Sequence, residues 1–247
     1  MMNVELLQKA ENIYSDGGKS VLNIKNYSYF DAEVYDFADE KDFGVFMRDL
    51  ERLVRQSFEY RWLISYLKNT EGMDQCSFLE NVSSRDNTKV KIEIHHSPLT
   101  LFDICLAVFR KRQAKGESLN ISDIAYEVMW LHYIGWVGLI PLSSTVHELV
   151  HNNYIFVPTD KVRGDYHQFI NVYYNYIDPD VLDCIDNAEQ ATKDYKGEQM
   201  EIFNNHKIYV RKPEEALARK PEVQQSIKNR INSIKGDLKI MCTIKKP

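Results

Sequence analysis

The stretch "GLIPLSSTVHELVH", residues 138–151, combines two patterns that decide the local fold. Its first half is a short apolar run that ends in hydroxyl residues, which predicts a strand leading into a helix. Its second half places His147 and His151 four residues apart. On a helix these two side chains lie on one face, about one turn from each other, and can bind the same divalent ion. The stretch therefore predicts a strand and a short helix beside a metal site.

The same helix also matches H-E-x-x-H, the motif of zinc peptidases. In that interpretation Glu148 is the general base, and a third ligand comes from later in the chain, where Glu189 and Glu198 are available. Two observations weigh against a peptidase. No H-x-x-G-x-x-H continuation follows the motif, and Thr145 and Glu148 fit a capping box at the start of a short helix. A zinc peptidase stays open as an alternative.

A second pair of histidines ends another strand pattern. In "KIEIHHSP", residues 91–98, apolar and polar residues alternate up to His95 and His96. Pro98 ends the strand because proline cannot continue the hydrogen-bonded ladder. The apolar segment "CSFLENV" and the polar turn "SSRDNTK" come directly before it, so residues 76–96 predict a β-hairpin.

Taken together, "KIEIHHSP" and "GLIPLSSTVHELVH" resemble the two halves of the HNH nucleases, the ββα-metal class, with a helical insertion longer than the usual loop. The resemblance implies that His95, His147 and His151 bind Mg²⁺, Mn²⁺ or Zn²⁺. It also implies that His96 is the general base that takes a proton from the attacking water. A neutral imidazole, with an ordinary pKa of about 6.5, suits that role near pH 7. The implied activity is hydrolysis of DNA phosphodiester bonds.

The sequence departs from the HNH pattern at one important position. The middle asparagine of the family would stand nine residues before His147, where this chain has Gly138. Residues 121–151 contain no asparagine. Either another group orients His96, with His132 one candidate, or the site is catalytically weakened. The cysteine pairs that brace many HNH proteins are also missing, so the surrounding helices must hold the core.

Helical patterns surround and interrupt these two halves. Residues 41–68 predict one long amphipathic helix or two consecutive ones, and residues 99–116 and 121–135 predict two more. The aromatic stripe of residues 166–177 is typical of a core helix. We therefore predict an α+β fold, in which N-terminal helices and a helical basic C-terminal tail flank a ββα-metal centre with a helical insertion. The predicted regions are residues 1–74, 75–176 and 177–247.

The composition is that of a globular protein, because 44% of the 247 residues are hydrophobic and can form a core. No apolar run at the N-terminus is long enough for a signal peptide or a membrane span. We therefore expect a cytoplasmic protein without a membrane partner. The four cysteines are scattered without a C-x-x-C pair, which argues against a zinc ribbon or a secreted disulfide framework.

Charge is divided unevenly along the chain. Residues 207–247 contain eleven lysines and arginines and four acids, a net charge of +7, which leaves −12 on residues 1–206. A basic segment can bind the phosphates of nucleic acid, so DNA is the expected partner of the metal site and the tail.

The stretch "IEIHHSPLTLFDI" also resembles proteins of tailed bacteriophages. The main hypothesis is therefore a phage-encoded, metal-dependent HNH-like endonuclease. Besides the zinc peptidase, the second alternative is a non-catalytic phage interaction or assembly protein with a degenerate HNH site.

Overall fold

A computed structural model describes residues 35–79, 81–152 and 155–194. These residues form an α+β fold with seven α-helices and one two-stranded antiparallel sheet. Predictions that concern residues 1–34 and 195–247, including the basic tail, lie outside them. No helix in the described part of the chain is long and apolar enough to cross a membrane.

Helices precede, separate and follow the two strands. Within residues 35–194, two of the described helices come before the first strand, two connect the strands, and three come after the second strand. In chain order the elements are α1 Glu40–Gln56, α2 Phe58–Asn69, β1 Ile92–His96, α3 Leu101–Lys115, α4 Ile121–Tyr133, β2 Leu139–Ser143, α5 Ser144–His151, α6 Tyr166–Tyr173 and α7 Pro179–Asp194.

The helical pattern of residues 41–68 corresponds to two consecutive helices that meet at Ser57. The backbone of Ser57 is extended, so the α-helical hydrogen bonding of α1 stops there. The Ser57 hydroxyl group accepts a hydrogen bond from the Tyr60 N–H at 3.1 Å and caps α2. One residue therefore ends the first helix and starts the second.

Helices α3 and α4 have clear capping signals at their ends. Thr100 and Asp103 form a capping box before α3, and Gly116 ends that helix in the left-handed conformation at φ 67°. Asn120 caps α4, because its side chain accepts a hydrogen bond from the Ser122 N–H at 2.8 Å. Apolar residues of these two helices join those of α1, α6 and α7 in the main hydrophobic core.

The predicted hairpin of residues 76–96 is wrong in its first strand. Strand β1 pairs instead with β2 in antiparallel register, with His95 opposite Ile140. The segment at Cys76 folds into a tight loop, in which the Cys76 N–H donates to the Val82 carbonyl at 2.9 Å. Every residue of β2 is buried. The strand that pairs with β1 is therefore the fully buried one, which is covered on both faces.

The two faces of the sheet contact different parts of the protein. Successive residues of a strand point to opposite faces, and the register places Glu93 and His95 on the same face as Ile140 and Leu142. Helix α5 covers this face through Val146, and a second, smaller hydrophobic cluster forms there. The opposite face lies against the helices of the main core.

Candidate metal centre

The three predicted metal ligands lie close together. His95 is near the end of β1, and His147 and His151 lie one turn apart on α5. One nitrogen atom of each ring lies within 4.8 Å of the corresponding atoms of the other two. The ring centroid of His95 is 5.1 Å from that of His147 and 5.0 Å from that of His151. The sheet and the helix thus bring the three imidazoles to one point.

A direct junction between β2 and α5 produces this arrangement. The hydroxyl group of Ser143, the last residue of β2, accepts a hydrogen bond from the Val146 N–H at 3.4 Å. Helix α5 therefore begins at Ser144. The predicted capping box of Thr145 and Glu148 is wrong, because the helix begins before Thr145. With no loop between strand and helix, α5 begins beside the start of β1, where the Ser144 N–H donates to the Lys91 carbonyl at 3.2 Å.

The spacing of the two helical histidines fits a shared ion. The Nε2 atoms of His147 and His151 are 3.0 Å apart. Two nitrogen atoms that each lie about 2.1 Å from one Zn²⁺ ion are about 3.0 Å apart at a right angle and about 3.4 Å apart at a tetrahedral angle. The observed distance falls within this range, so the two rings need little movement to bind one ion.

Glu93 fixes the orientation of the His147 ring. Its Oε2 atom lies 3.0 Å from Nδ1 of His147. Because a carboxylate only accepts, Nδ1 carries the proton and Nε2 of His147 keeps its lone pair toward the other two rings. Ser144 donates its hydroxyl proton to Oε1 of Glu93 at 3.0 Å. The hydrogen bond from Lys91 is the main cause that lowers the pKa of Glu93, and Ser144 and His147 add to it.

Two rings of the three-histidine cluster, those of His95 and His147, have lowered pKa values. Burial lowers the pKa of His95 to about 4, and the nearby charges of His147 and His151 contribute. Burial also lowers the pKa of His147, followed by the charge of His151, against the opposing effect of Glu93. Neutral imidazoles are the form that binds metal ions. The local environment therefore favours the neutral form of the His95 and His147 rings at neutral pH.

The structure does not bring His96 to the three-histidine cluster. Strand alternation turns its ring to the opposite face, where it is buried and its Nε2 atom lies 2.9 Å from Nε2 of His132. Nδ1 of His132 donates to the Val128 carbonyl at 2.7 Å, so Nε2 of His132 accepts the proton of His96. His132 is thus the group that orients His96, as the sequence suggested. The assignment of His96 as general base stays a prediction, and its buried position does not favour it.

The chain has no space for the missing asparagine. A Cβ atom added at Gly138 would lie 2.0 Å from the Ser97 carbonyl oxygen and 2.9 Å from Cγ1 of Val162. The Gly138 carbonyl also accepts a hydrogen bond from the Ser97 N–H at 3.1 Å. Glycine at this position therefore allows the close approach of two backbone segments beyond the end of the sheet.

Comparison with known families assigns the origin of the chain. Residues 1–233 match the family model described as bacteriophage G278-like virion protein. The chain belongs to this family. The phage origin predicted from the sequence is thereby supported, and the family description indicates the phage particle rather than specifically the host cytoplasm. No curated protein and no solved structure matches the chain.

In this virion protein the third histidine of the cluster, His95, precedes the helical pair in the chain. The peptidase interpretation instead requires a ligand after it. Glu189, one of the two candidates, accepts hydrogen bonds from the Tyr166 hydroxyl group at 3.0 Å and contacts Nε2 of His167 at 2.9 Å. The other candidate, Glu198, lies outside the described residues. Glu148 is exposed.

Sequence reasoning missed one charged residue near the three-histidine cluster of the virion protein. The charge of Arg55, in the last turn of α1, is among the smaller causes that lower the pKa values of His95 and His147. Its side chain is half exposed and lies 3.8 Å from the Glu51 carboxylate. No pattern in α1 connects Arg55 to the histidines, because their proximity depends on how α1 packs against the sheet.

Proposed function

We propose that the chain is a non-catalytic component of the phage particle, in which His95, His147 and His151 hold one Zn²⁺ ion. Membership of the virion protein family supports the structural role. The observation that carries the metal assignment is the convergence of three imidazoles from two elements, with the Glu93 carboxylate on the far nitrogen of His147. Such a carboxylate behind a ligating histidine is a recurrent feature of zinc sites.

The chemistry of the ligands favours zinc over magnesium. All three groups are imidazoles, which suit Zn²⁺, whereas Mg²⁺ prefers carboxylate, carbonyl and water oxygens. The exposed Glu148 is not part of the cluster. The proposed role of the ion is to hold α5 against β1, because the helix supplies two of the ligands and the strand supplies the third.

Zinc binding can be tested directly on the purified chain. Metal analysis after dialysis should find one Zn²⁺ per chain, and His95→Ala or His151→Ala should lose it. His167→Ala is the matched control, because His167 is an exposed histidine that contacts Glu189, away from the cluster. Equal zinc content in the wild type and in the His95→Ala variant contradicts the proposal.

A metal-dependent HNH-like nuclease is the second candidate function, and the open coordination positions favour it. Three protein ligands with open positions are typical of catalytic metal sites, while structural zinc sites usually have four. A bound divalent ion would supply charge to polarise a phosphate and to stabilise the leaving oxygen. Residues 207–247, with their charge of +7, would contact DNA phosphates. The buried ring of His96 and the closed position of Gly138 weigh against catalysis.

A nicking assay separates the two functions. Supercoiled plasmid is incubated with the protein and Zn²⁺, Mg²⁺ or Mn²⁺, with and without a chelator. The non-catalytic proposal expects intact plasmid in every case. Metal-dependent nicking that His95→Ala abolishes would establish the nuclease, and His96→Gln, checked for folding by its melting temperature, would show whether His96 is the base. A peptidase activity of the wild type that is lost in Glu148→Gln would support the zinc-peptidase interpretation.

A further inference from the structure

We infer that the groove between α6 and α7 binds residues 207–212 of the same chain. The apolar part of the groove lining, called its floor below, includes Ile170, Leu182 and Tyr174, and the Tyr174 side chain is 59% exposed. The space between the two helices, part of it open to solvent, is about 630 Å³. A large exposed aromatic side chain beside half-buried aliphatic ones is a surface suited to a few side chains of a peptide segment.

The rim of the groove is acidic. Asp183 and Asp186 lie three residues apart on α7 and line the groove. Both are exposed, and no cation of the described residues forms an ion pair with either. Glu189 lines the end of the groove and already contacts His167. Helix α7 as a whole has five acids and one lysine, so its exposed surface lacks compensating positive charge.

The occupant follows from the charge and pattern of the chain itself. Residues 207–212 read "KIYVRK", three apolar residues between one cation on one side and two on the other. The apolar residues match the floor of the groove, and Lys207, Arg211 and Lys212 match Asp183 and Asp186 on its rim. Residues 207–247 together carry +7, against −12 in the rest of the chain. Opposite charges of this size favour association at low salt.

Chain length permits the segment to reach the groove of its own molecule. Helix α7 ends at Asp194, eight residues after Asp186, a distance of about 12 Å along the helix. Twelve residues, 195–206, connect Asp194 to Lys207, and an extended chain of that length spans up to about 40 Å. A tether of this kind gives the segment an effective concentration in the millimolar range. In dilute solution, the concentration of the same segment from a second copy of the chain is lower than this effective concentration.

Zero-length cross-linking tests the inference on the full chain. A carbodiimide joins carboxylates to lysines only when they are in contact, and mass spectrometry identifies the joined residues. We expect links from Asp183 or Asp186 to Lys207 or Lys212. The yield of these cross-links should fall several-fold at high salt, because salt screens ion pairs at an exposed rim. An equal mixture of ¹⁵N-labelled and unlabelled protein distinguishes links within a chain from links between chains. We expect every cross-linked pair of peptides to be either fully labelled or fully unlabelled, because the segment binds its own molecule.

Variants make the test specific. The double variant Asp183→Lys/Asp186→Lys should abolish the cross-links, and so should the double variant Lys207→Glu/Lys212→Glu. Combining all four changes exchanges the charges of the two partners and should restore the cross-links. Asp86→Asn, a change at an exposed acid outside the groove, should leave them unchanged. Absence of links between α7 and residues 207–212, links only between differently labelled chains, or failure of the exchanged variant to restore them would overturn the inference. None of these results depends on metal binding, so they are independent of the proposed function.

Discussion

In the proposed zinc site, Glu93 is the residue expected to affect the metal affinity most directly without binding the ion. Its charge holds the proton on Nδ1 of His147, so the opposite nitrogen faces the cluster. We predict that Glu93→Ala lowers zinc affinity by about 10- to 100-fold, the usual effect of removing such a partner. Competition with a chromophoric chelator measures the affinity. Glu148→Gln changes an exposed acid on α5, the helix that carries His147, and should leave the zinc affinity unchanged. Equal zinc affinities of Glu93→Ala and wild type would refute the role assigned to Glu93.

The buried pair of His96 and His132 predicts a loss of stability in acid. Burial lowers the pKa of His132 to about 4 and holds that of His96 well below 6.5. The folded state therefore keeps these rings neutral, while the unfolded chain binds protons once the pH falls below about 6.5. The stabilisation is complete above about pH 6.5 and is lost as the pH falls toward about 4.

Urea unfolding with a chelator present measures this effect. Between pH 7 and pH 5 the free energy of unfolding should fall by on the order of 2 kcal/mol for His132, and the lowered pKa of His96 should add to this fall. His132→Gln removes one titrating ring and should give a shallower pH dependence. His167→Ala, a change at an exposed ring, should not alter it, and equal stability of the wild type at both pH values contradicts the prediction.

At the residue scale the sequence predicts the clustering of His95, His147 and His151 better than the surroundings of these rings. The helical spacing of His147 and His151 is a local property, and the strand end at His95 is visible in the pattern. The orientation of His96 is not local, because it depends on which face of β1 the helices cover. Glu93 is intermediate, since its alternation with His95 places it on the ligand face but does not show that His147 comes within reach.

Among the elements, the end of the β1–β2 sheet depends on Gly138. A Cβ atom there would meet the Ser97 carbonyl oxygen at 2.0 Å, and a backbone atom cannot move aside as a flexible side chain can. We predict that Gly138→Ala destabilises the fold by about 2 to 4 kcal/mol, in the range of strained or overpacked substitutions. Gly138→Asn should be no better tolerated.

The matched control is Gly44→Ala in α1. A Cβ atom at Gly44 has its nearest neighbour, Nη1 of Arg48, at 3.8 Å, and alanine is favoured over glycine inside a helix by up to about 1 kcal/mol. This variant should be neutral or more stable in urea unfolding. If Gly138→Ala unfolds at the same urea concentration as Gly44→Ala, the close approach at Gly138 does not exist in solution.

Helices were more predictable than strand pairing for a physical reason. The helical pattern and the caps at Asn120 and Gly116 are set by neighbouring residues, so the sequence contains them. The choice of β2 as partner of β1 depends on burial of the whole sheet. Residues 76–82 are closer to β1 along the sequence than β2 is, and this proximity led to the wrong prediction of the partner strand. A solvent-facing hairpin and a buried two-stranded sheet share the same local signals.

For the molecule as a whole, bound zinc should raise thermal stability. An ion that binds the folded state at 100 times its dissociation constant adds about 2.7 kcal/mol, which for a chain of this size corresponds to about 5 to 10 °C in melting temperature. Calorimetry with added Zn²⁺ and with a chelator measures the shift. His95→Ala should show no shift, and an equal shift in that variant would indicate binding elsewhere.

The elements of the fold differ in how firmly hydrophobic packing holds them in place. Helix α3 buries eight residues, whereas α5 buries one, Val146. A single buried aliphatic side chain contributes only about 1.5 to 3 kcal/mol, so α5 can detach while the helical core stays folded. Loss of the ion would then loosen one corner of the molecule. In a phage particle, the surrounding metal concentration could thus control whether that corner is ordered, without unfolding the subunit.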